Sequence, residues 1–147
     1  MDTAELRALV ENITARPGHM SAMGTRVVAV EPGHVHLAID RRPDLLQFSG
    51  HFHGGVIAAL ADHAAGGAVT TALPEGRIAV TIDLHVNFLA PADGTILNAK
   101  ARAVQVGSTV GVAQVDLTTN NEGCERTCAI ALATLRLVDS KSAVKSV

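Results

Sequence analysis

Aromatic side chains are almost missing from this chain of 147 residues, which contains three Phe and neither Trp nor Tyr. Proteins that bind single-stranded nucleic acid stack the bases on aromatic rings and follow the backbone with a basic groove. This chain has few rings and a net charge of −2, so it offers neither feature. We therefore expect no nucleic-acid partner.

Cysteine is scarce as well, and no stretch of the chain is apolar for long enough to span a membrane. Cys124 and Cys128 have no pair of histidines beside them, and the spacing of the seven histidines favours no metal site. The acidic N-terminus lacks the apolar core of a signal peptide. These observations predict a cytoplasmic protein with two free thiols, no bound metal and no membrane partner.

Two helices are predicted from capping residues and hydrophobic periodicity. Asp2 and Glu5 can form a capping box. The short helix that follows has one apolar stripe, made of Leu6, Leu9, Val10 and Ile13. A second helix, from Gly54 to about Ala72, is apolar on every side, which is typical of a helix buried in the core.

Strands are predicted where apolar residues alternate between turn signals, at Met20–Val30, His34–Asp40, 78–88, Thr95–Val106, Thr109–Thr119 and Glu125–Leu137. In the strand after the long helix, alternation places Thr81 on the opposite face from Leu84. The turns between the later strands are too short for parallel crossovers. The chain is therefore expected to form one α+β domain over residues 1–138, with a polar tail at 139–147. About six antiparallel strands would wrap around one long central helix, beside a short N-terminal helix.

The long helix carries the residues that indicate chemistry. It opens on Gly54 and Gly55, and a helix N-terminus offers unpaired N–H groups and partial positive charge to a developing oxyanion. Asp62 is a carboxylate among Ala, Val and Leu, where burial of charge is costly unless it serves a purpose. Two simpler interpretations stay open: Asp62 is a structural carboxylate, and the glycines only allow close packing.

The order of these elements resembles the hotdog fold. The segment 47–62, in which His53-Gly54-Gly55 leads into the long helix and Asp62 follows, is similar to the corresponding segment of PaaI-like acyl-CoA thioesterases. The strand from Thr81 to Pro91 resembles the strand that follows the helix in that family. The resemblance covers nearly the whole chain, from about residue 25 to residue 138.

This resemblance implies roles for individual residues. Gly54 would donate its backbone N–H to the thioester carbonyl, and Asp62 would be the nucleophile or the general base. The side chains that would help to place the carbonyl or the water are Gln47, His53 and Thr81. Residues expected to contact the substrate are Gly55, His51 and Ser108. Ser108 departs from the family pattern, because many members carry Arg in this turn near the CoA nucleotide.

Helix geometry predicts that two chains share each site. Gly54 and Asp62 are eight residues apart, which places them roughly 12 Å apart along the helix axis. An oxyanion donor and a nucleophile must both lie about 3 Å from one carbonyl group. Two antiparallel helices across a two-fold axis solve the problem, so a homodimer with shared sites is expected. The resemblance further implies that such dimers pair into tetramers.

The sequence therefore favours hydrolysis of a small or medium acyl-CoA thioester, or of an acyl-carrier thioester, with no cofactor beyond the CoA of the substrate. A hydratase or dehydratase on the same fold is one alternative, suggested by Gly50-His51-Phe52. The absence of Pro between Pro43 and Pro74 counts against it. A non-catalytic acyl-CoA-binding protein is the other alternative.

Overall fold

The computed structural model describes residues 1–143 and contains one six-stranded antiparallel sheet. The strand order across the sheet is β1-β2-β4-β5-β6-β3. The strands are β1 (Arg26–Glu31), β2 (His34–Asp40), β3 (Arg77–Phe88), β4 (Ile96–Val106), β5 (Val110–Asn121) and β6 (Cys124–Asp139). The α-helices are α1 (Thr3–Ala15), α2 (His19–Ala22), α3 (Gly54–Thr71) and α4 (Ser140–Ala143), and Pro43–Leu45 forms one 3₁₀ turn. The predicted α+β architecture is confirmed.

The long helix α3 lies in the concave face of the sheet and contacts every strand from β2 to β6. Its alanines are small enough for the sheet to curve closely around it, and Ala61, Ala64, Ala65 and Ala68 are fully buried. The strands close in equally tightly. A Cβ atom added to Gly111 of β5 would lie 2.7 Å from Cγ1 of Val69, so only glycine fits this approach.

Helix α1 begins with the predicted capping box, in which Asp2 Oδ1 accepts from the N–H of Glu5 and Glu5 accepts from the N–H of Asp2. The face that it buries differs slightly from the predicted stripe. Leu6, Val10 and Thr14 are buried, whereas Ile13 remains 37% exposed. The buried residues of α1 are therefore spaced four positions apart, whereas the predicted apolar stripe also included positions between them.

The first predicted strand, Met20–Val30, is too long at its N-terminal end. Residues 19–22 form the helical turn α2, and β1 begins only at Arg26. The segment from His19 to Gly24 contains no β-branched residue, and the hydroxyl of Ser21 donates to the carbonyl of Gly18 at 3.0 Å. Local capping therefore favours a helical turn where the sequence pattern suggested a strand.

Strand β3 contains a bulge that reverses the predicted faces of its first half. The pairing with β6 shifts between Thr81 and Asp83, so that Thr81 pairs with Leu135 and Leu84 pairs with Ala133. Leu135 and Ala133 are both fully buried toward the helix. Thr81 therefore faces α3 on the same side as Leu84, contrary to the strict alternation that was predicted.

The end of the chain also differs in detail from the prediction. Strand β6 continues through Asp139, and α4 follows it, with the N–H of Ser140 bonded to the carbonyl of Gly76 at 2.8 Å. The rest of the predicted tail, 144–147, lies outside the described residues. Among the helices within residues 1–143, none is long and apolar enough to cross a membrane.

Candidate active site

The N-terminus of α3 is capped by the side chain of His53. Its Nδ1 atom accepts from the N–H of Gly55 at 2.8 Å, and its carbonyl accepts from Val56 and Ile57 at 2.9 and 3.1 Å. The N–H of Gly54 has no hydrogen-bond partner among the described residues. Of the four N–H groups that a helix start leaves unpaired, three are therefore satisfied, and one is available to a ligand.

The same cap fixes the tautomer of His53. Because Nδ1 accepts, the proton of the neutral ring resides on Nε2, which then points away from the helix backbone as a donor. A Cβ atom on Gly55 would lie 3.0 Å from Nδ1 of His53. Gly55 thus allows the imidazole to lie close over the first turn.

The loop before α3 places three of the predicted residues around this N-terminus. The N–H of Gln47 donates to the carbonyl of His51 at 2.8 Å, and the side-chain oxygen of Gln47 accepts from the N–H of Ser49 at 2.5 Å. Nδ1 of His51 lies 3.3 Å from the hydroxyl of Ser49. The N–H of His53 in turn bonds to the carbonyl of Leu45 at 2.9 Å, so the loop is tied to the helix start.

Asp62 lies two turns further along α3 and is half-buried. Its Oδ1 atom is inaccessible to solvent and has no hydrogen-bond partner among the described residues. Asp62 lines a cavity of about 420 Å³ between α1, α3 and β3. The other residues that line this cavity are Val10, Ile13, His63, Gly66, Gly67, Thr70, Ile78, Ala79, Val80 and Thr81.

The neighbour of Asp62, His63, has a role that the sequence did not reveal. Its Nε2 atom lies 2.9 Å from the hydroxyl of Thr14, which is 97% buried on α1. Burial lowers the pKa of His63, and the negative charge of Asp62 partly opposes that shift. The contact with Thr14 joins α1 to α3. The residue that signals it in the sequence is Thr14, a polar residue at the buried spacing of Leu6 and Val10.

Ser108 lies in the exposed turn between β4 and β5 and is not among the residues that line the cavity. Its carbonyl accepts from both terminal nitrogens of Arg77, each at 3.2 Å. Arg77 also donates to the carbonyl of Leu137 at 3.1 Å. A guanidinium group therefore lies against the turn in which the family places an arginine, although it comes from a different strand.

Within one chain, the predicted residues other than Ser108 thus form two groups. One group surrounds the N-terminus of α3 and contains Gln47, His51, His53, Gly54 and Gly55. The second group is the pair Asp62 and Thr81, which line the same cavity. The helix itself separates the groups by roughly 12 Å.

Comparison with known proteins identifies the family of this chain. Residues 49–126 match the family model described as the Thioesterase superfamily. A protein of Halobacterium salinarum named "putative esterase" is 38% identical over 123 residues, which are 80% of this chain and 81% of that protein. The 1,4-dihydroxy-2-naphthoyl-CoA hydrolase of Listeria monocytogenes is 27% identical, over 78% of this chain and 95% of its own length.

Solved structures share the fold. A thioesterase family protein from Silicibacter pomeroyi superposes with a TM-score of 0.88 at 30% identity, over 92% of this chain and 99% of that one. The E. coli PaaI protein from the phenylacetic acid degradation operon superposes with a TM-score of 0.82 at 19% identity, over 94% and 96%. These likenesses confirm the hotdog fold and the resemblance to PaaI. This chain belongs to the thioesterase superfamily.

Proposed function

We propose that the protein hydrolyses acyl-CoA thioesters, with Asp62 as the reacting carboxylate. The observation that carries the proposal is the burial of one carboxylate oxygen of Asp62. One oxygen of a carboxylate is buried without a partner in the wall of an otherwise largely apolar cavity. An unsatisfied buried polar atom destabilises a fold by about 1–3 kcal/mol, so a structural role explains it poorly. A role toward a ligand explains it well.

The chemistry follows from what each group can donate or accept. The N–H of Gly54 donates to the thioester oxygen, where negative charge develops as the carbonyl carbon becomes tetrahedral. Asp62 either attacks that carbon, forming an anhydride that water then hydrolyses, or removes a proton from the attacking water. In both routes the C–S bond breaks, the thiol of CoA leaves, and the oxygen of water ends in the free acid.

The remaining predicted residues fit supporting roles in this proposal. Nε2–H of His53 can donate to the substrate carbonyl, because Nδ1 is already used by the cap. The side-chain oxygen of Gln47 is bound to Ser49, which leaves its amide N–H groups for the substrate or the water. Thr81 shares the cavity with Asp62, where its hydroxyl can orient that water.

Two chains form each site in this proposal, and the sheet offers an edge for their pairing. Strand β1, at one edge, has the carbonyls of Val27 and Val28 occupied by the guanidinium of Arg7, at 3.1 Å each. Strand β3, at the other edge, is 12 residues long and carries the exposed Ile82. A long unprotected edge is a template for another strand. Pairing of two β3 strands across a two-fold axis would bring two α3 helices side by side in opposite directions.

The CoA part of the substrate is inferred from similarity and from the family resemblance. The Listeria monocytogenes relative is named as a CoA thioester hydrolase. The experiment is a thiol-release assay with acetyl-, hexanoyl-, decanoyl- and benzoyl-CoA, and with one acyl-carrier thioester in parallel. Release from the carrier alone would move the substrate class to acyl-carrier thioesters. Water addition to an enoyl-CoA without thiol release would support a hydratase instead.

Asp62→Asn tests the catalytic assignment. Loss of a general base or nucleophile should lower kcat by about 10²- to 10⁴-fold. The matched control is Asp116→Asn, which changes an exposed aspartate on β5 away from the cavity and should leave kcat unchanged. A binding protein without catalysis would retain acyl-CoA affinity, release no thiol, and be indifferent to the change at Asp62.

Mixing two inactive variants tests the shared site. Asp62→Asn damages the carboxylate, and Gly54→Pro removes the N–H donor. If the two variants are unfolded together in equal amounts and refolded, about half of the dimers are mixed. Each mixed dimer has one site with both lesions and one site with none, so activity should return to about a quarter of wild type. If each chain built its own site, every site would carry one lesion, and no activity would return despite proven exchange.

A further inference from the structure

We propose that the cavity between α1, α3 and β3 holds the acyl group of the substrate, and that Gly66 and Ile13 set the largest acyl group that fits. This inference rests on the proposed function, because it assigns one part of the thioester to a place in the same site. The ligand class that it names is an uncharged, apolar acyl group. The cavity belongs to the chain that supplies Asp62.

The chemistry of the cavity wall supports an apolar occupant. Apart from Asp62 and His63, the described residues of the wall include no ionisable side chain, and most of them are aliphatic or glycine. A volume of about 420 Å³ lies in the lower part of the range for small-molecule pockets, roughly 300–1,000 Å³. An acyl chain whose carbonyl carbon lies beside Asp62 would extend from that point along the aliphatic wall. A second carboxylate on the chain would be unfavourable, because it would be desolvated near Asp62.

The N-terminal helix α1 forms one wall of the cavity, and contacts before and after Ile13 along the helix hold it in place. Leu6 and Val10 are buried against the core, and Thr14 is tied to His63 of α3 at 2.9 Å. Ile13 lines the cavity and is 37% exposed. Helix α1 is therefore a fixed wall, and the partial exposure of Ile13 indicates that its side chain closes the outer end of the cavity.

Gly66 limits the cavity from the opposite wall, on α3. A Cβ atom at Gly66 would meet a single neighbour, Cδ2 of Leu135, at 3.9 Å, which is ordinary van der Waals contact. The next residue is different, because a Cβ atom at Gly67 would lie 3.3 Å from Cγ2 of Val35. Close packing thus explains glycine at 67 and does not explain it at 66. Since glycine is less favourable than alanine inside a helix, we attribute Gly66 to the space that it leaves in the cavity.

The experiment measures binding of CoA thioethers, which are not hydrolysed. S-butyl-, S-hexyl-, S-octyl- and S-decyl-CoA are titrated into the full-length wild-type protein by calorimetry. Kd should fall by about fourfold for each methylene that enters the cavity, and then level off when the cavity is full. Gly66→Val should move this levelling-off point to a shorter chain, Gly66→Ala should move it less, and Ile13→Ala should move it to a longer chain. Asn12→Ala, an exposed position on α1 outside the cavity, should leave it unchanged.

Two readouts separate this inference from the function on which it rests. Circular dichroism first shows whether each variant is folded. If Gly66→Val does not fold, the two single variants Gly66→Ala and Ile13→Ala decide the test. A levelling-off point at the same chain length in all folded variants would overturn the cavity assignment, even if wild type hydrolyses thioesters. A point that moves as expected, with no hydrolysis of any thioester by wild type, would support the cavity assignment and overturn the proposed function.

Discussion

Gly54 offers a way to delete one backbone N–H from the site while preserving the helix. It is the first residue of α3, where proline is well tolerated because its missing N–H has no partner within the helix. The preceding residue, His53, has φ −63° and ψ 139°, the extended conformation that a following proline favours. Gly54→Pro should therefore fold, and it removes the donor assigned to the oxyanion.

Gly54→Ala is the matched control for this change. Both substitutions add a Cβ atom, which would lie 3.3 Å from Cζ of Phe88, so both require a small movement of a ring that is 56% exposed. Alanine keeps the N–H and proline does not. Any difference in activity between the two variants therefore reports on the lost hydrogen bond together with the Cδ atom that proline puts in the place of the hydrogen, with the cost of displacing Phe88 shared by both.

The size of the effect follows from the role of the donor. Removing one oxyanion donor typically lowers kcat by about 10²- to 10³-fold. We expect Gly54→Ala to retain kcat within about tenfold of wild type, and Gly54→Pro to fall by a further factor of about 10² to 10³. Because the donor acts mainly on the transition state, KM should change much less than kcat. The assay is thiol release from the acyl-CoA that wild type hydrolyses fastest, with Tm measured for all three proteins.

Equal kcat values for the alanine and proline variants, at similar Tm, would show that the N–H of Gly54 takes no part in the reaction. A loss confined to KM would show instead that the N–H binds the ground state and the transition state equally well. Either result would refute the assignment of Gly54 as the oxyanion donor, although Asp62 and the hydrolytic activity would still stand on their own tests.

Three further outcomes are expected. Asp62→Asn should have a Tm equal to wild type or up to about 4 °C higher, because it removes a negative charge from a carboxyl group whose Oδ1 is buried without a partner. A clear fall in Tm would contradict this expectation. Since burial lowers the pKa of His63 below its ordinary 6.5, the unfolded chain binds that proton more readily, and the stability from neutral His63 should be lost as pH falls below about 6.5. Tm measured from pH 7 to 5 should thus fall less steeply in His63→Gln than in wild type, while the exposed-site control His19→Gln should follow wild type. Burial also raises the pKa of Cys128 to about 11, so a thiol reagent at pH 8 should modify only the exposed Cys124 until the protein is unfolded. Rapid modification of two thiols in the native protein would disprove this expectation.

The parts of the fold that could be predicted are those in which local and tertiary preferences agree. Strand β2 occupies the predicted residues His34–Asp40, and α3 begins at the predicted Gly54. At β2 the alternating apolar residues coincide with burial of Val35, Leu37 and Ile39. At α3 the change from a glycine- and histidine-containing loop to an unbroken apolar run marks the helix start, and the His53 cap confirms it.

The parts that could not be predicted depend on pairing between distant segments. The bulge in β3 arises from its register with β6, which is invisible in the sequence of β3 alone, and it determines that Thr81 faces the cavity. The contact between Thr14 and His63 joins residues 49 positions apart. The cavity needs α1, α3 and β3 together, so Ile13 and Gly66 acquire a role only once the three elements are in place.

The proposed mechanism requires a second chain, and this requirement follows from the rigid geometry of one helix. Within a helix the rise of about 1.5 Å per residue is fixed, so no rotamer change or loop movement brings the N–H of Gly54 to the carboxylate of Asp62 in the same chain. The structure leaves both groups without hydrogen-bond partners among the described residues, one at the helix start and one in the cavity wall. A thioester held between two antiparallel helices would engage both groups at once, since its oxygen would accept from the N–H of one chain and its carbon would face the carboxylate of the other. Binding of substrate would therefore stabilise the dimer itself, and an S-(2-oxoalkyl)-CoA, which keeps a carbonyl group but has no thioester bond to hydrolyse, should raise Tm and lower the dimer dissociation constant together. If this carbonyl-containing analogue binds without strengthening the dimer, each chain holds its ligand alone.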